Sequence, residues 1–206
     1  MRTTMFKKVK KYGILMFLLS GALLTSCQDD EAPAPENEVE VFTDVTLIFT
    51  NNADASDVVR AKAQDPDGIG AQEQQILDDI TLKSGIAYTL TFEILNALDP
   101  SDPEDIGAEI LDEDNEHQFF FGFTNDAFSN PSGDGNRDNR QDPINYNDTD
   151  ETGNPVGLST TWTANAPLAN GEFRVTLKHQ PDVKTSTSNV NNGDTEFDLT
   201  FNLDIE

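Results

Sequence analysis

The most regular feature of the chain is a period of two in its apolar residues. In the clearest segment, Tyr88, Leu90 and Phe92 alternate with Thr89 and Thr91. Successive side chains of a β-strand point to opposite faces, so this alternation predicts strands that bury one face and expose the other. The segments with this pattern are 41–49, 86–94, 172–178 and 197–204.

Shorter apolar runs predict further strands, and turns that contain glycine separate several of them. These runs are 58–63, 80–82, 119–123, 144–147 and 156–164. The turns at 83–85 and 191–193 are typical of connections between antiparallel strands. Residues 103–114 predict a short helix instead, because a proline and acidic residues precede Ile106 and Ile110.

Together these elements predict an all-β domain over residues 40–206. We expect an immunoglobulin-like β-sandwich of about eight to nine strands with one short capping helix. A small β-barrel is the alternative. A domain of this length can bury a core by packing alone. It has to do so, because Cys27 is the only cysteine and no disulfide can form within the chain.

Residues 1–26 predict a lipoprotein signal peptide. Basic residues precede an apolar run, 14–24, which is too short to cross a bilayer as a helix. The small residues Thr25 and Ser26 then lead to Cys27. This order resembles the lipobox of bacterial lipoproteins, which implies cleavage before Cys27, acylation of Cys27 and attachment to a membrane. The alternative is an ordinary secreted protein with a chance cysteine.

Residues 27–39 predict an acidic, proline-rich tether between the lipid and the domain. The run from Gln28 to Glu31 resembles the surface-export signal of Bacteroidota lipoproteins. That resemblance implies an outer-membrane lipoprotein that faces outward, whereas the alternative is a solvated acidic linker. Two alternating alanine and proline pairs at 32–35 then predict an extended spacer.

The charge of the mature chain excludes one class of partner. Eight basic against 38 acidic residues remain after removal of the leader, which gives a net charge of −30. Such a surface repels nucleic acid and anionic lipid, so we expect no nucleic-acid partner. It suits solubility and the binding of cations.

The two histidines of the chain are the main candidates for chemistry. By strand parity His117 and His179 both point toward the core. If 144–147 is a strand, up-and-down counting places both at the same end of the sandwich. Imidazole is the commonest transition-metal ligand, so His117 and His179, with Glu116, Asp114 or Asp182 as a third ligand, predict a zinc or copper site. The alternative is two histidines that cap the core and bind backbone carbonyl groups.

Two acidic turns suggest a different cation, calcium. Asp65 and Asp67 precede Gly68, and Asp148 and Asp150 occupy a similar turn. Clustered carboxylate oxygens are the ligands that Ca²⁺ prefers, although neither turn has the spacing of an EF-hand loop. The alternative is turn chemistry alone, because aspartate and glycine are common in hairpin turns.

Aromatic residues and a polar loop complete the set of candidates. Phe120 has the opposite parity from Phe119 and Phe121, which makes it a candidate contact for a ligand or partner. Trp162 is expected in the centre of the sandwich. Residues 129–142, rich in Asn, Asp, Gly and Arg, predict a long exposed loop.

Sequence signatures of enzymes are missing. The chain has no Gly-x-Ser-x-Gly elbow and no phosphate-binding loop, and the glycines at 68 and 70 lack the third glycine of a dinucleotide fingerprint. A carboxylate pair for glycoside cleavage has no signal among so many acidic residues. We therefore expect a protein that is not an enzyme.

Three stretches resemble small uncharacterised lipoproteins from Bacteroidota. They are 88–121, which contains Glu-His-Gln-Phe at 116–119, then 146–158, and 175–181, which contains Leu-Lys-His-Gln-Pro. Some members of that group carry a label of type 1 periplasmic-binding fold, which implies two α/β lobes, whereas the alternation here favours strands. The chain is also similar to lipoproteins that accompany TonB-dependent outer-membrane receptors, which implies a receptor partner.

The sequence thus predicts a membrane-anchored, outward-facing lipoprotein that acts as a binding module. Its ligand would be a metal or a metal-bearing molecule, or it would assist an outer-membrane receptor. The alternatives are a structural or adhesive envelope protein without a small ligand and a glycan-binding protein.

Overall fold

The computed structural model describes residues 40–69 and 73–206, and it confirms the all-β prediction. Apart from one helix of seven residues, all the regular secondary structure in these ranges consists of β-strands. The described residues belong to one compact unit, Val39–Glu206. The predicted signal peptide, Cys27 and the tether lie outside the described residues. No helix in the described part is long and apolar enough to cross a membrane.

The larger sheet has seven strands and is built around one antiparallel pair, β1 (Asp44–Asn51) and β5 (Ala87–Asn96). Its other strands are β2 (Val58–Gln64), β3 (Gln75–Ile76), β6 (Glu104–Asp105), β8 (Phe128–Asn130) and β9 (Ser159–Ala164). The spatial order is β3, β2, β1, β5, β9 and β8, and β6 pairs with β5.

The smaller sheet has four strands and carries both histidines. Its strands are β4 (Ile80–Leu82), β7 (His117–Phe123), β10 (Leu168–His179) and β11 (Asp194–Ile205). In spatial order they are β4, β11, β10 and β7. The three long strands pair antiparallel, whereas β4 runs parallel to β11.

The apolar faces of the two sheets pack against each other and form one core. Trp162 of the larger sheet and Phe173 and Phe121 of the smaller one are fully buried and meet edge to face, with Trp162 ring centroids 5.1 and 5.3 Å from the other two. The indole N–H donates to Oγ1 of Thr160 at 2.7 Å. Buried Tyr and Trp require such a partner for their polar atom. The core is that of a sandwich, and the immunoglobulin-like connectivity stays a prediction.

The predicted helix exists but is shorter than residues 103–114. Helix α1 spans Ile106–Asp112, because Glu104 and Asp105 pair with the end of β5 instead. The Asp105 carboxylate accepts a hydrogen bond from the backbone N–H of Ala108 at 3.2 Å and caps the helix. Ile106 and Ile110 are buried, so the helix covers part of the core.

Two expectations about the middle of the chain are wrong. Residues 144–147 are not a strand, since Tyr146 forms only an isolated bridge with Thr160. Its phenol instead donates to the carbonyl oxygen of Phe119 at 2.6 Å. Phe120 is fully buried and is no surface contact. The strand face that Phe120 occupies is covered by a layer of loop residues that the alternation pattern does not reveal.

The segment 129–142 is exposed over much of its length, as predicted, but part of it also covers strand β7. Its first two residues belong to β8, and later ones run along the outer edge of β7. Phe123 N–H donates to the carbonyl oxygen of Asp134 at 2.8 Å, and Arg137 N–H donates to that of Phe121 at 3.1 Å. The backbone groups on this edge are therefore satisfied by the chain's own loop.

Candidate metal centre

His117 opens β7 and His179 closes β10, and the two residues are direct partners across the antiparallel ladder. Their rings stack with centroids 4.6 Å apart and planes within 8° of parallel. The His117 side chain is 0% exposed and that of His179 is 7% exposed. The structure thus brings together the two histidines that strand parity singles out.

The surroundings of His117 determine its protonation pattern. Nδ1 lies 3.1 Å from the carbonyl oxygen of Glu113. A carbonyl only accepts, so Nδ1 carries a proton and Nε2 is left with a lone pair in the neutral ring. Nε2 lies 3.3 Å from Oε1 of Glu40, but the geometry of this contact is not that of a hydrogen bond. Nε2 of His117 and Oε2 of Glu40 are both buried and lack a hydrogen-bond partner.

His179 has the same arrangement with other oxygens. Its Nε2 lies 3.3 Å from Oε2 of Glu116, which can accept its proton. Its Nδ1 lies 3.4 Å from Oε1 of Glu196. The backbone adds a fixed link, because Gln180 N–H donates to the carbonyl oxygen of Glu116 at 2.6 Å. Each imidazole thus has one nitrogen near an oxygen atom of residues 113–116. Its other nitrogen lies near the carboxylate of Glu40 or Glu196.

A β-bulge explains how Glu196 reaches the histidines. The ladder between β10 and β11 pairs Leu177 with Phe197 and then Lys178 with Thr195, so Glu196 is the extra residue. A bulge of this kind redirects side chains at the point where it interrupts the ladder. By simple alternation from the core residue Phe197, Glu196 would point away from the core. Its side chain is only 17% exposed.

Glu40 is held near the histidines by the residues that follow it. Phe42 is buried and packs edge to face on Phe197, with ring centroids 5.4 Å apart. Thr43 N–H then donates to the carbonyl oxygen of Leu95 at 3.0 Å. These two anchors fix the backbone just before β1, and the Glu40 side chain is 10% exposed.

The result is a group of four acids around two imidazoles, which we call the His–Glu cluster. It consists of Glu40, Glu113, Glu116, His117, His179 and Glu196. None of the ion pairs that its described side chains form involves lysine or arginine. The cluster therefore has an excess of negative charge that a cation would balance.

The electrostatics of the cluster reflect this imbalance. Burial raises the pKa of Glu196, and the nearby Glu40 carboxylate raises it further, while the two histidines act in the opposite direction. Burial alone would lower the pKa of His117, but the Glu40 carboxylate and the Glu113 carbonyl oxygen outweigh burial and raise it. Glu40 and Glu196 thus interact with each other and with both rings.

The Glu113 carboxylate is close enough to both rings to share a metal ion with them. One carboxylate oxygen of Glu113 and one nitrogen of each imidazole lie within 4.8 Å of one another. Glu113 follows helix α1, and its side chain is exposed. Its carbonyl oxygen already accepts from His117 Nδ1.

The calcium candidates at Asp148 and Asp150 have protein donors on their carboxylates. Asp150 Oδ1 accepts from Thr152 N–H and Asn154 N–H, each at 2.9 Å. Its Oδ2 lies 3.1 Å from Nζ of Lys184, and both side chains are only 1% exposed. Although burial opposes it, these partners hold the pKa of Asp150 far below its usual value. Asp150 therefore stabilises its turn through a buried ion pair.

Asp148 has a similar structural role, because both of its carboxylate oxygens accept hydrogen bonds from the backbone. Asp148 Oδ1 accepts from Gly157 N–H at 2.8 Å and Oδ2 accepts from Ser159 N–H at 2.9 Å. At the first turn, burial and the neighbouring Asp67 raise the pKa of Asp65. The calcium interpretation of Asp65 and Asp67 stays a prediction.

Comparison with known proteins gives no assignment for this site. Neither models of protein families, nor curated proteins, nor solved structures match the chain. The function has to be argued from the cluster itself.

Sequence reasoning identified His117, His179 and Glu116 but missed the other acids. Glu40 precedes the first strand and is distant from the histidines in sequence. Glu196 depends on the bulge in β11. With 38 acidic residues in the chain, neither glutamate stands out in the sequence.

Proposed function

We propose that this protein is an envelope lipoprotein whose β-domain binds a divalent transition metal, zinc or copper, at the His–Glu cluster. The observation that carries the proposal is the buried Nε2 of His117. It lacks a hydrogen-bond partner, lies 3.3 Å from a carboxylate oxygen and belongs to a ring stacked on a second imidazole. Buried polar atoms are nearly always hydrogen-bonded. A buried imidazole nitrogen without a hydrogen-bond partner, close to carboxylates, is therefore what a metal-binding site is expected to show when no metal is bound.

The chemistry of the donors supports a transition metal over calcium. Two imidazoles with carboxylates are typical ligands of zinc, copper and related ions, whereas calcium prefers oxygen ligands alone. Phe42 and Phe197, which are near Glu40 and Glu196 in the chain, are buried and pack on each other. The side chains of His117 and His179 are themselves buried. A dry surround strengthens the attraction between the acids and a cation.

The predicted leader supports a proposed position for the domain in the cell. A lipid on Cys27 would hold the domain at the outer membrane, facing outward, with residues 27–39 as the tether. Its acidic surface concentrates cations near the site and repels anionic lipid. A role beside an outer-membrane receptor fits this position, with a captured metal or metal-bearing ligand as the cargo.

Isothermal titration of the metal-stripped protein tests the proposal. The full-length protein is purified in detergent without a histidine tag. It carries Cys27→Ser, so that no thiol competes for metal. We expect one strong zinc or copper site, and we expect that His117→Ala and His179→Ala each remove it, because each loses a nitrogen ligand.

Glu172→Gln is the matched control for this titration. Glu172 lies on the same strand as His179 but is exposed and remote from the cluster. This variant should bind as the parent does. A parent protein that binds neither metal, or binding that persists in both alanine variants, would show that the proposal is wrong.

A further inference from the structure

We propose that a cavity on the outer face of β7 is a separate binding site, whose ligand is an uncharged molecule with several hydroxyl groups, of the size of a monosaccharide. The cavity lies between β7, residues 136–146 and the loop that contains Ser188. Gln118 and Phe120 belong to this outer face, whereas His117 belongs to the core face. The site is thus distinct from the His–Glu cluster and does not depend on the proposed function.

The cavity has room for a small molecule and is closed at one end. Its volume is about 240 Å³, whereas one water molecule occupies roughly 30 Å³ in the liquid. Pockets for drug-sized ligands measure roughly 300–1,000 Å³, so the expected ligand is smaller. The inner wall contains Gln118 and Phe120, which are 4% and 0% exposed. Arg140 and Pro143, also in the lining, are exposed and mark the open end.

The inner wall contains a side chain with an unsatisfied polar atom. Oε1 of Gln118 is buried and accepts no hydrogen bond from the described residues. Buried polar atoms are nearly always hydrogen-bonded, to protein, to water or to a ligand. A donor from a molecule in the cavity is therefore expected at this oxygen.

Rotation of the Gln118 amide would not satisfy its oxygen. The Tyr146 phenol donates its single proton to the carbonyl oxygen of Phe119 at 2.6 Å and accepts from Asn136 Nδ2 at 2.8 Å. Burial raises the pKa of Tyr146, while Asn136 and Gln118 act in the opposite direction as hydrogen-bond partners of the phenol. The phenol oxygen can only accept from Gln118, so the amide presents its NH₂ group there and Oε1 is left over.

The other buried polar side chains of the lining are satisfied within the protein. Asn136 uses both ends of its amide. Ser188 Oγ donates to the carbonyl oxygen of Val183 at 3.2 Å and accepts from Thr185 N–H at 2.8 Å. Among these buried groups, Gln118 is the one that a ligand would complete.

The charges of the lining favour an uncharged ligand. Arg140 and Asp142 are its charged residues, one cation and one anion. At the inner end, the amide of Gln118 is neutral, so a charge buried beside it would lack a partner, which costs far more than burial of a hydroxyl group. A hydroxyl group also donates and accepts, whereas an ammonium group only donates and a carboxylate only accepts.

The apolar part of the lining fits a sugar ring. Binding pockets are mostly apolar, with a few polar groups that fix the orientation of the ligand. The apolar lining residues are Phe120, Pro143, Ile144 and Pro155. The C–H groups of a sugar ring would pack on this part, while its hydroxyl groups bond to the Gln118 oxygen and to the charged groups at the open end.

Titration with sugars tests the site. The full-length Cys27→Ser protein is prepared in a detergent without a sugar headgroup. Glucose, galactose, mannose, rhamnose and N-acetylglucosamine are screened by saturation-transfer NMR, and those that bind are titrated by calorimetry, with glucuronate and leucine as charged comparisons. We expect at least one uncharged sugar to bind with a Kd of about 1 mM or below, and the charged molecules to bind at least about tenfold more weakly.

Two substitutions in the lining locate the bound sugar. Gln118→Met removes the amide oxygen with little change in volume and should weaken binding by about tenfold or more, because the ligand loses its buried acceptor. Asp142→Asn, at the open end, should weaken it by roughly two- to fivefold. Gln75→Met, at an exposed position of β3, is the matched control and should bind as the parent does. Far-ultraviolet circular dichroism checks that each variant is folded.

Three outcomes would overturn the inference. If none of the sugars binds, the cavity holds water only. If glucuronate or leucine binds more tightly than every uncharged sugar, the ligand class is wrong. If a sugar binds equally well to the parent, Gln118→Met and Asp142→Asn, it occupies another place on the protein. The zinc titration is independent of all three, so the proposed function and this site can fail separately.

Discussion

The protein contains two buried charged groups that are built in opposite ways. Around Lys184, one ammonium meets the Asp150 carboxylate at 3.1 Å and the Asp114 carbonyl oxygen at 2.5 Å. The other oxygen of Asp150 accepts three hydrogen bonds from Thr152 and Asn154. The His–Glu cluster instead has four acids, no ion pair to lysine or arginine among the described residues, and two buried atoms without hydrogen bonds.

The two groups differ in whether the buried charges are balanced by the protein itself. A buried ion pair persists when its charges balance and its remaining lone pairs are bonded, as they are at Lys184. The His–Glu cluster meets neither condition, so it costs free energy in the protein alone. A site that costs stability without its ligand is a reasonable place to look for one.

The largest expected effect comes from breaking the balanced group. Lys184→Met should lower the free energy of unfolding by roughly 3–5 kcal/mol, because it leaves the buried Asp150 carboxylate without its cation. Chemical denaturation at neutral pH measures this change. A loss below about 1 kcal/mol would mean that the ion pair contributes little and that the contrast with the His–Glu cluster is wrong.

Lys178→Met is the control for that experiment. Lys178 is also buried, but its ammonium donates to Oγ1 of Thr195 at 2.7 Å and not to a carboxylate. Burial lowers its pKa. Its replacement should cost less than about 1.5 kcal/mol, the usual contribution of one hydrogen bond.

An intermediate effect is expected at a paired but more exposed group. Asp198 accepts from Arg174 Nε at 2.7 Å and Arg137 Nη2 at 2.8 Å. Burial raises its pKa, but the two guanidinium groups outweigh burial and lower the pKa to about 2, against 3.8 unperturbed. The stabilisation is therefore full above pH 4 and is lost as the pH falls toward 2.

Comparison of the parent with Asp198→Asn from pH 5 to pH 2 measures this contribution. We expect a difference of about 1 kcal/mol at pH 5, because solvent screens the exposed arginines, and no difference near pH 2. A difference that is independent of pH would assign the stabilisation to packing and not to charge.

The smallest expected effect has the opposite sign. Glu196→Gln should raise the free energy of unfolding of the metal-free protein by less than about 1 kcal/mol at pH 8, because it removes a buried charge that is also repelled by Glu40. The exposed Glu172→Gln should leave this free energy unchanged. A Glu196→Gln protein that is less stable without metal would show that the acid is a structural partner of His179.

Much of the fold could be predicted from the sequence because alternation reports burial directly. β1, β5, β10 and β11 lie where the two-residue period is strongest. The same parity brought His117 and His179 to the core side, and the ladder makes them direct partners. Short strands such as β3 and β8 have too few residues to show a period.

The rest of the candidate site depends on features that have no local signal. Glu40 reaches the histidines through tertiary packing of Phe42, and Glu196 through a bulge that reverses its parity. Phe120 was expected at the surface because alternation does not reveal that a loop covers the outer face of β7. In each case the missing information is a long-range contact, not a local propensity.

The loop along β7 also limits how a partner can bind. Many peptides and receptors attach to a β-protein by adding a strand to a free sheet edge. On the four-stranded sheet, one edge strand has its amide and carbonyl groups engaged by residues 134–137, and the other, β4, has only three residues. A partner protein that binds this sheet would therefore have to recognise its side chains and loops. The covered edge also protects the domain against pairing with copies of itself.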